Sequence, residues 1–241
     1  MDRIEDFVDE RQKSWCIQCG AWIGDVETSE DHLPSKVLLR EPRPANVPVV
    51  TICAACNNGF SADEEYLSLF LHCVLAGSTD PERHDNEKVA RALRRHKKLR
   101  ARIERSKTAH RAADGETRLV WMPETERVNR VVVKNARGHA FYEYGEPMLA
   151  EPDQVRAAPL ESLTAAERRA FENIGGDGTI AGWPEVGSRM MTRVMTGQDL
   201  RDGWVIVQEG VYRYGVAQSG GILVRSVLLE YLATEVCWNN H

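Results

Sequence analysis

The segment CIQCGAWIGDVETSEDHLPSKVLL, residues 16–39, begins with a C-x-x-C pair and runs into Asp31-His32. A second pair follows in TICAACNNGF, residues 51–60. Zinc favours four tetrahedral nitrogen or sulfur ligands, and a C-x-x-C turn offers two thiolates from one tight loop. Cys16, Cys19, Cys53 and Cys56 are therefore expected to hold one structural Zn2+. Residues 20–52 lie between the pairs, more than a compact zinc finger has but suitable for an inserted loop and strand. Ion binding there becomes folding free energy for a small N-terminal unit.

Outward from the cysteines the pattern is short and strand-like. Residues 26–33 can form one strand, and VPVVTI (47–52), β-branched and apolar, a second. The period then changes. SADEEYLSLFLHCVLAG starts at Ser61 with Glu64 three residues on, a capping-box signature. Leu67, Phe70, Leu71, Val74 and Leu75 recur at helical spacing until Gly77. STDPERHD is a turn-rich joint. A basic helix follows, with Val89, Leu93, His96, Arg100 and Ile103 along one face, and AADGETR ends it. ETERVNRVVVKNARGHAFYEYGEP is expected to be an amphipathic helix, with VNRVVVKN able to compete as a strand. Thr164 and Glu167 cap a brief helix through Phe171, and NIGGDGTIAGWPEVGS is irregular, its GGxG a weak phosphate-cradle pattern. SRMMTRVMTG, GWVIVQ, GVYRYGVAQ and GILVRSVLLEYLATEVCW suggest three or four antiparallel strands, turning at QEG and QSGG. Residues 2–13 look like a short helix carrying Ile4, Phe7 and Val8 on one side.

The chain has 241 residues, 42% hydrophobic and 28% charged, enough to bury a core in the manner of an ordinary globular protein. No apolar run approaches the roughly 18 residues a membrane span needs. The charged start MDRIEDFVDERQKSW has no apolar h-region, so no secretory signal is expected and the cytoplasm is the expected compartment. Thiols there more often hold metal than form disulfides. Cys73 and Cys237, outside the pairs, are expected in the core. The net charge of −5 hides a local excess, because residues 87–111 carry eleven Lys or Arg against two Glu. Such a segment can dock a polyanion through its local field, with Arg94, Arg95, Lys97 and Lys98 as candidate contacts. The plainer reading is a solvated helix face.

C-x-x-C, then Asp-His with a nearby proline (DHLPSK), then an Asn (PANVPVV), then C-x-x-C-Asn (CAACNN) resembles the HNH endonuclease family. The likeness covers roughly residues 14–76, and CNNGFSADEEYL is similar to a bacterial subgroup of that family. The resemblance implies a ββα-metal fold, a hairpin and a helix around one catalytic divalent ion, with the cysteine pairs holding a separate zinc. It implies that His32 is the general base, that Asp31 is a carboxylate ligand of the catalytic metal, and that Asn57 completes that metal site. Asn46 matches the middle Asn that braces the loop and orients the histidine, and Asn58 can substitute for Asn57. The fold expected is α+β: the ββα unit over 14–76, a helical region with the basic helix over 77–145, and an α+β domain with antiparallel sheet and short helix over 146–241.

The residues themselves suit that chemistry. Phosphodiester hydrolysis needs an activated water and charge neutralisation at phosphate. A neutral histidine accepts the water's proton near neutral pH, and a hard cation, Mg2+ or Mn2+, bridges phosphate and leaving oxygens. Adjacent strand residues point to opposite faces, so Asp31 and His32 must flank the phosphorus or be reconciled by a bend near Pro34. DNA is the expected partner, with RNA open. The alternative is a zinc-stabilised nucleic-acid- or protein-binding module without catalysis. The acidic ADEE after the second pair, the distance of Asn46 from Cys53, and the lack of a lysine soon after the trailing CN favour that alternative. Asp63, Glu64 and Glu65 read as helix N-terminal charges, and His72 and His96 as packing residues. His84, His110, His139 and His241 fall in no evident constellation.

Overall fold

The structure, a computed structural model, describes residues 12–111, 117–174, 184–218 and 220–239. The helix expected at 2–13 lies outside them except for a short 3-10 turn, Gln12–Ser14, and the GGxG pattern lies outside them too. In chain order the elements are β1 (Thr28–His32), β2 (Val49–Cys53), α1 (Ala54–Ala76), α2 (Glu87–Arg95), α3 (Lys97–Glu104), β3 (Lys107–Arg111), β4 (Thr117–Trp121) and α4 (Thr125–Tyr144). Then come β5 (Gln154–Pro159), α5 (Ala165–Glu172), α6 (Arg189–Thr196), β6 (Leu200–Arg201), β7 (Trp204–Gln208), β8 (Tyr212–Gln218), β9 (Gly221–Leu228) and β10 (Leu232–Asn239). This is an α+β fold. Two compact units divide it, Met1–Ser61 with Asn129–His241, and Ala62–Val128, the boundaries falling inside α1 and α4.

In the first unit β1 and β2 form an antiparallel hairpin, with Ser29 opposite Ile52 and Asp31 opposite Val50. Strands β5-β10-β9-β8-β7-β6 make one antiparallel sheet. α4 is packed by both. Its Phe141 and Tyr142 join Leu33, Val50 and Ile52 in the hairpin's core. Its His139 stacks on Tyr214 of β8, centroids 3.7 Å apart. At Gly138 a Cβ would overlap Leu33 Cδ2, so the helix accepts a residue costing about 1 kcal/mol relative to alanine in exchange for close approach to the hairpin. The sheet's other face takes Phe171 and Trp204 with Ile174.

Several expectations are corrected by the local chemistry. α1 starts at Ala54, not at Ser61. Cys53 Sγ accepts the Cys56 N–H at 3.4 Å, doing at the helix N-terminus what a serine cap would do, and Ser61 Oγ is left to bond Asn57 O within the helix. α1 ends at Gly77, φ +63°, with Ser78 N–H on Cys73 O and Gly77 N–H on Val74 O. The basic helix breaks at His96, ψ 60°, into α2 and α3. SRMMTRVMTG is helix α6 rather than strand, because Ser188 Oγ caps Met191 N–H and Gly197, φ +69°, closes its end. The capping box of Thr164 and Glu167 forms as expected and starts α5. VNRVVVKN is helical.

In the second unit Tyr66 stacks on Phe70, and Phe70 meets Trp121 edge-on. Asp63, expected as a simple dipole charge, accepts from Arg127 Nε at 2.5 Å. Cys73 is buried in this core, which pushes its thiol up to about 12. No helix among the described residues is long and apolar enough to cross a membrane.

Candidate metal centre

The first cysteine pair sits in a tight knuckle. Cys16 N–H bonds Ala21 O, Gly20 N–H bonds Cys16 O with Gly20 at φ +72°, and Trp15 bridges Trp22. The second pair is the junction of β2 with α1. All four Sγ atoms lie within 4.8 Å of one another. Cys19 Sγ to Cys53 Sγ is 3.8 Å, the edge of a tetrahedron with bonds of about 2.3 Å. The N–H of Cys53 points to Cys16 Sγ at 3.5 Å, an orienting contact of the kind that tunes metal thiolates. Burial pushes the thiols of Cys16 and Cys56 up, whereas for Cys53 the burial effect is outweighed by the Cys56 N–H and the neighbouring thiols. Four sulfurs this close together can share one cation as ligands. The donor set fits a metal ion such as zinc.

Beside this cluster the hairpin presents the Asp-His pair. Strand alternation puts Ser29 and Asp31 on the face shared with Val50 and Ile52, and turns His32 to the other. Asp31 is 3% exposed, and the ammonium of Lys134, itself 1% exposed, donates to Asp31 Oδ1 at 2.5 Å and to Ser35 Oγ at 2.8 Å. Asn135 Oδ1 accepts the Ser35 N–H, and Arg137 Nη1 bonds Gln18 O in the cysteine knuckle. α4 thus fastens Asp31, the loop after it and the first cysteine pair.

His32 is half-buried, and neither ring nitrogen is hydrogen-bonded among the described residues. Burial lowers its pKa, Lys36, Arg43 and Lys134 push the same way, and Glu30 opposes them. The net effect favours the neutral form of the ring. Asn57, in the first turn of α1, donates through Nδ2 to Ser29 Oγ at 3.0 Å and to Glu30 O at 3.4 Å. Those bonds tie the first turn of α1 to Ser29 and Glu30 of β1 and leave the Asn57 Oδ1 as an acceptor. Asn46 is exposed in a turn before β2, with no hydrogen bond to His32 among the described residues, and Asn58 is exposed.

In the second unit the four candidate phosphate contacts separate. Arg94 is held by Glu82 at 2.8 Å and Glu87 at 3.2 Å, and Arg95 lies 3.6 Å from Glu65 with its Nε on His96. Lys97 and Lys98 are exposed.

The sequence reading passed over Lys134, Asn135 and Arg137, and set His139 in no constellation. The available signal was a 20-residue helix with polar side chains at 134, 135, 137, 139 and 143 among Val, Ala and aromatic residues, leaving no clean polar stripe for solvent. No family model, curated protein or solved structure matches the chain.

Proposed function

We propose that this chain is a metal-dependent endonuclease of the HNH type that hydrolyses phosphodiester bonds in DNA. The observation that carries the reading is His32, half-buried at the end of β1 with its pKa lowered by burial and by Lys36, Arg43 and Lys134, in a hairpin that runs directly into α1 through the second cysteine pair. His32 takes the proton of the attacking water. Lys36 and Arg43 offset phosphate charge. Asp31 and Asn57 would hold Mg2+ or Mn2+, which when bound supplies Lewis-acid stabilisation of the phosphate and leaving oxygens. A cation there must share the Asp31 carboxylate with Lys134 or displace it. The four cysteines carry a structural Zn2+.

One observation favours a second reading, a zinc-stabilised binding module without catalysis. The Asp31 carboxylate already has an ammonium partner in a buried setting, which suits an anchor between β1 and α4. Plasmid cleavage with added Mn2+ separates the two. The nuclease reading expects nicking by the wild type and its loss in His32→Ala with zinc content unchanged. Equal cleavage by His32→Ala removes that residue from its role, and binding without cleavage under Mg2+ and Mn2+ leaves the module.

A further inference from the structure

We propose that the second unit binds a sugar-phosphate strand in a groove built by one face of α3 and the loop after α1, and that Lys97 and Arg100 are its phosphate contacts; this rests on the nucleic-acid part of the reading above. The groove holds about 710 Å³ and is lined by Ser78, Thr79 and Asp80 of the loop after α1 together with Lys97, Arg100 and Lys107. Lys97, Arg100, Ala101 and Glu104 line it at i, i+3, i+4 and i+7, a single stripe of the helix. That stripe is about 10 Å long at 1.5 Å per residue, the axial rise of about three nucleotides at 3.4 Å each.

The charges sort themselves. Arg94, at the rim, is occupied by Glu82 and Glu87. Lys107 is occupied by Glu104 at 2.7 Å, and Glu104 also accepts from Thr79 Oγ1 at 2.5 Å. Asp80 caps the following turn by accepting the Glu82 N–H. Lys97 and Arg100 make no ion pair among the described residues, so two cations line the groove against the single carboxylate of Asp80, beside neutralised pairs. The chain's net charge is −5, which makes this local excess a directed one.

The lining also says what is not read. None of the nine lining residues is aromatic, so bases have no stacking platform of the kind that orders single strands. A small-molecule pocket is lined mostly by apolar side chains, whereas every lining residue here except Ala101 carries a hydroxyl or a charge. The occupant that matches is a phosphate backbone, held without regard to base sequence. Lys98, next in sequence, does not line the groove and serves as an internal control.

The test is the salt dependence of binding of a short labelled duplex by the full chain carrying His32→Ala, which prevents cutting. Adding Lys97→Gln and Arg100→Gln is expected to reduce the slope of log K against log salt by about 1.8, two contacts at about 0.9 each. Lys97→Gln alone is expected to remove about half of that, and Lys98→Gln none. Zinc content and far-ultraviolet dichroism of each variant report folding. An unchanged slope in the double variant, an equal loss in Lys98→Gln, or no duplex binding by the His32→Ala chain would each overturn the groove. Cleavage by the wild type is scored separately, so a groove that binds beside a site that does not cut defeats only the nuclease reading.

Discussion

Replacing Lys134 by methionine tests how the hairpin is fastened to α4. The side chains of Lys134 and Asp31 are 0% and 4% exposed, and Nζ is 2.5 Å from Oδ1. Methionine keeps most of the aliphatic stem, so little cavity is created. What is lost is the partner of a buried carboxylate, together with the bond to Ser35. Removing one member of a buried pair costs about 3–5 kcal/mol. At about 2–4 °C per kcal/mol for a chain of this size, the melting temperature falls by about 6–20 °C. Adding Asp31→Asn removes the buried negative charge, so the double variant is expected to be less destabilised than the sum of the single changes, by about 0.5–3 kcal/mol. Thermal melts followed by tryptophan fluorescence, without and with Mn2+, give both quantities. Because Lys134 and a divalent ion compete for one carboxylate, Mn2+ is expected to stabilise Lys134→Met more than the wild type. A cost under about 1 kcal/mol, or additive single changes, refutes the buried-pair account.

Other outcomes follow from the same geometry. Cys16→Ser or Cys53→Ser is expected to lower bound zinc and stability together, and zinc affinity is expected to fall with falling pH as thiols take up protons; unchanged zinc by atomic absorption would count against the four-sulfur site. Burial pushes the His139 pKa down to about 3 from 6.5. The unfolded chain therefore binds the extra proton between those values, and stability present above pH 6.5 is lost as pH falls toward 3, by an order of a few kcal/mol. His32 adds to the loss in the same direction. His139→Gln is expected to flatten that acid limb in denaturant titrations, and an unchanged limb would contradict the assignment. Gly138→Ala is expected to destabilise despite its better helix propensity, since its methyl overlaps Leu33 beside His32. A more stable variant in urea would show that the close approach is not required.

The parts of the fold carried by local chemistry were legible: the four-cysteine cluster, the hairpin between the pairs, the box at Thr164 and Glu167, and the strands from Trp204 onward. What escaped depends on tertiary partners or on side chains in unusual roles. A cysteine capping α1 hid the helix start at Ala54. The turn joining β9 to β10 uses Leu229 at φ +55° and Glu230 at φ +48°, with no Asn or Gly to announce it. The methionine-rich segment that became α6 gave no period to separate helix from strand in eight residues. For the candidate site, Asp31, His32 and Asn57 were singled out by the family resemblance that their motifs carry. Lys134 did not, because a lysine inside a long helix is ordinarily a solvated one, and only the packing of α4 against the hairpin makes it a buried partner.

The most direct measurement is diffraction from Mn2+-soaked crystals at the manganese absorption edge. The account predicts an anomalous peak held by Asp31 and Asn57, with Lys134 Nζ moved from Asp31 Oδ1. An empty hairpin at saturating Mn2+, with Lys134 still on the carboxylate, would contradict it.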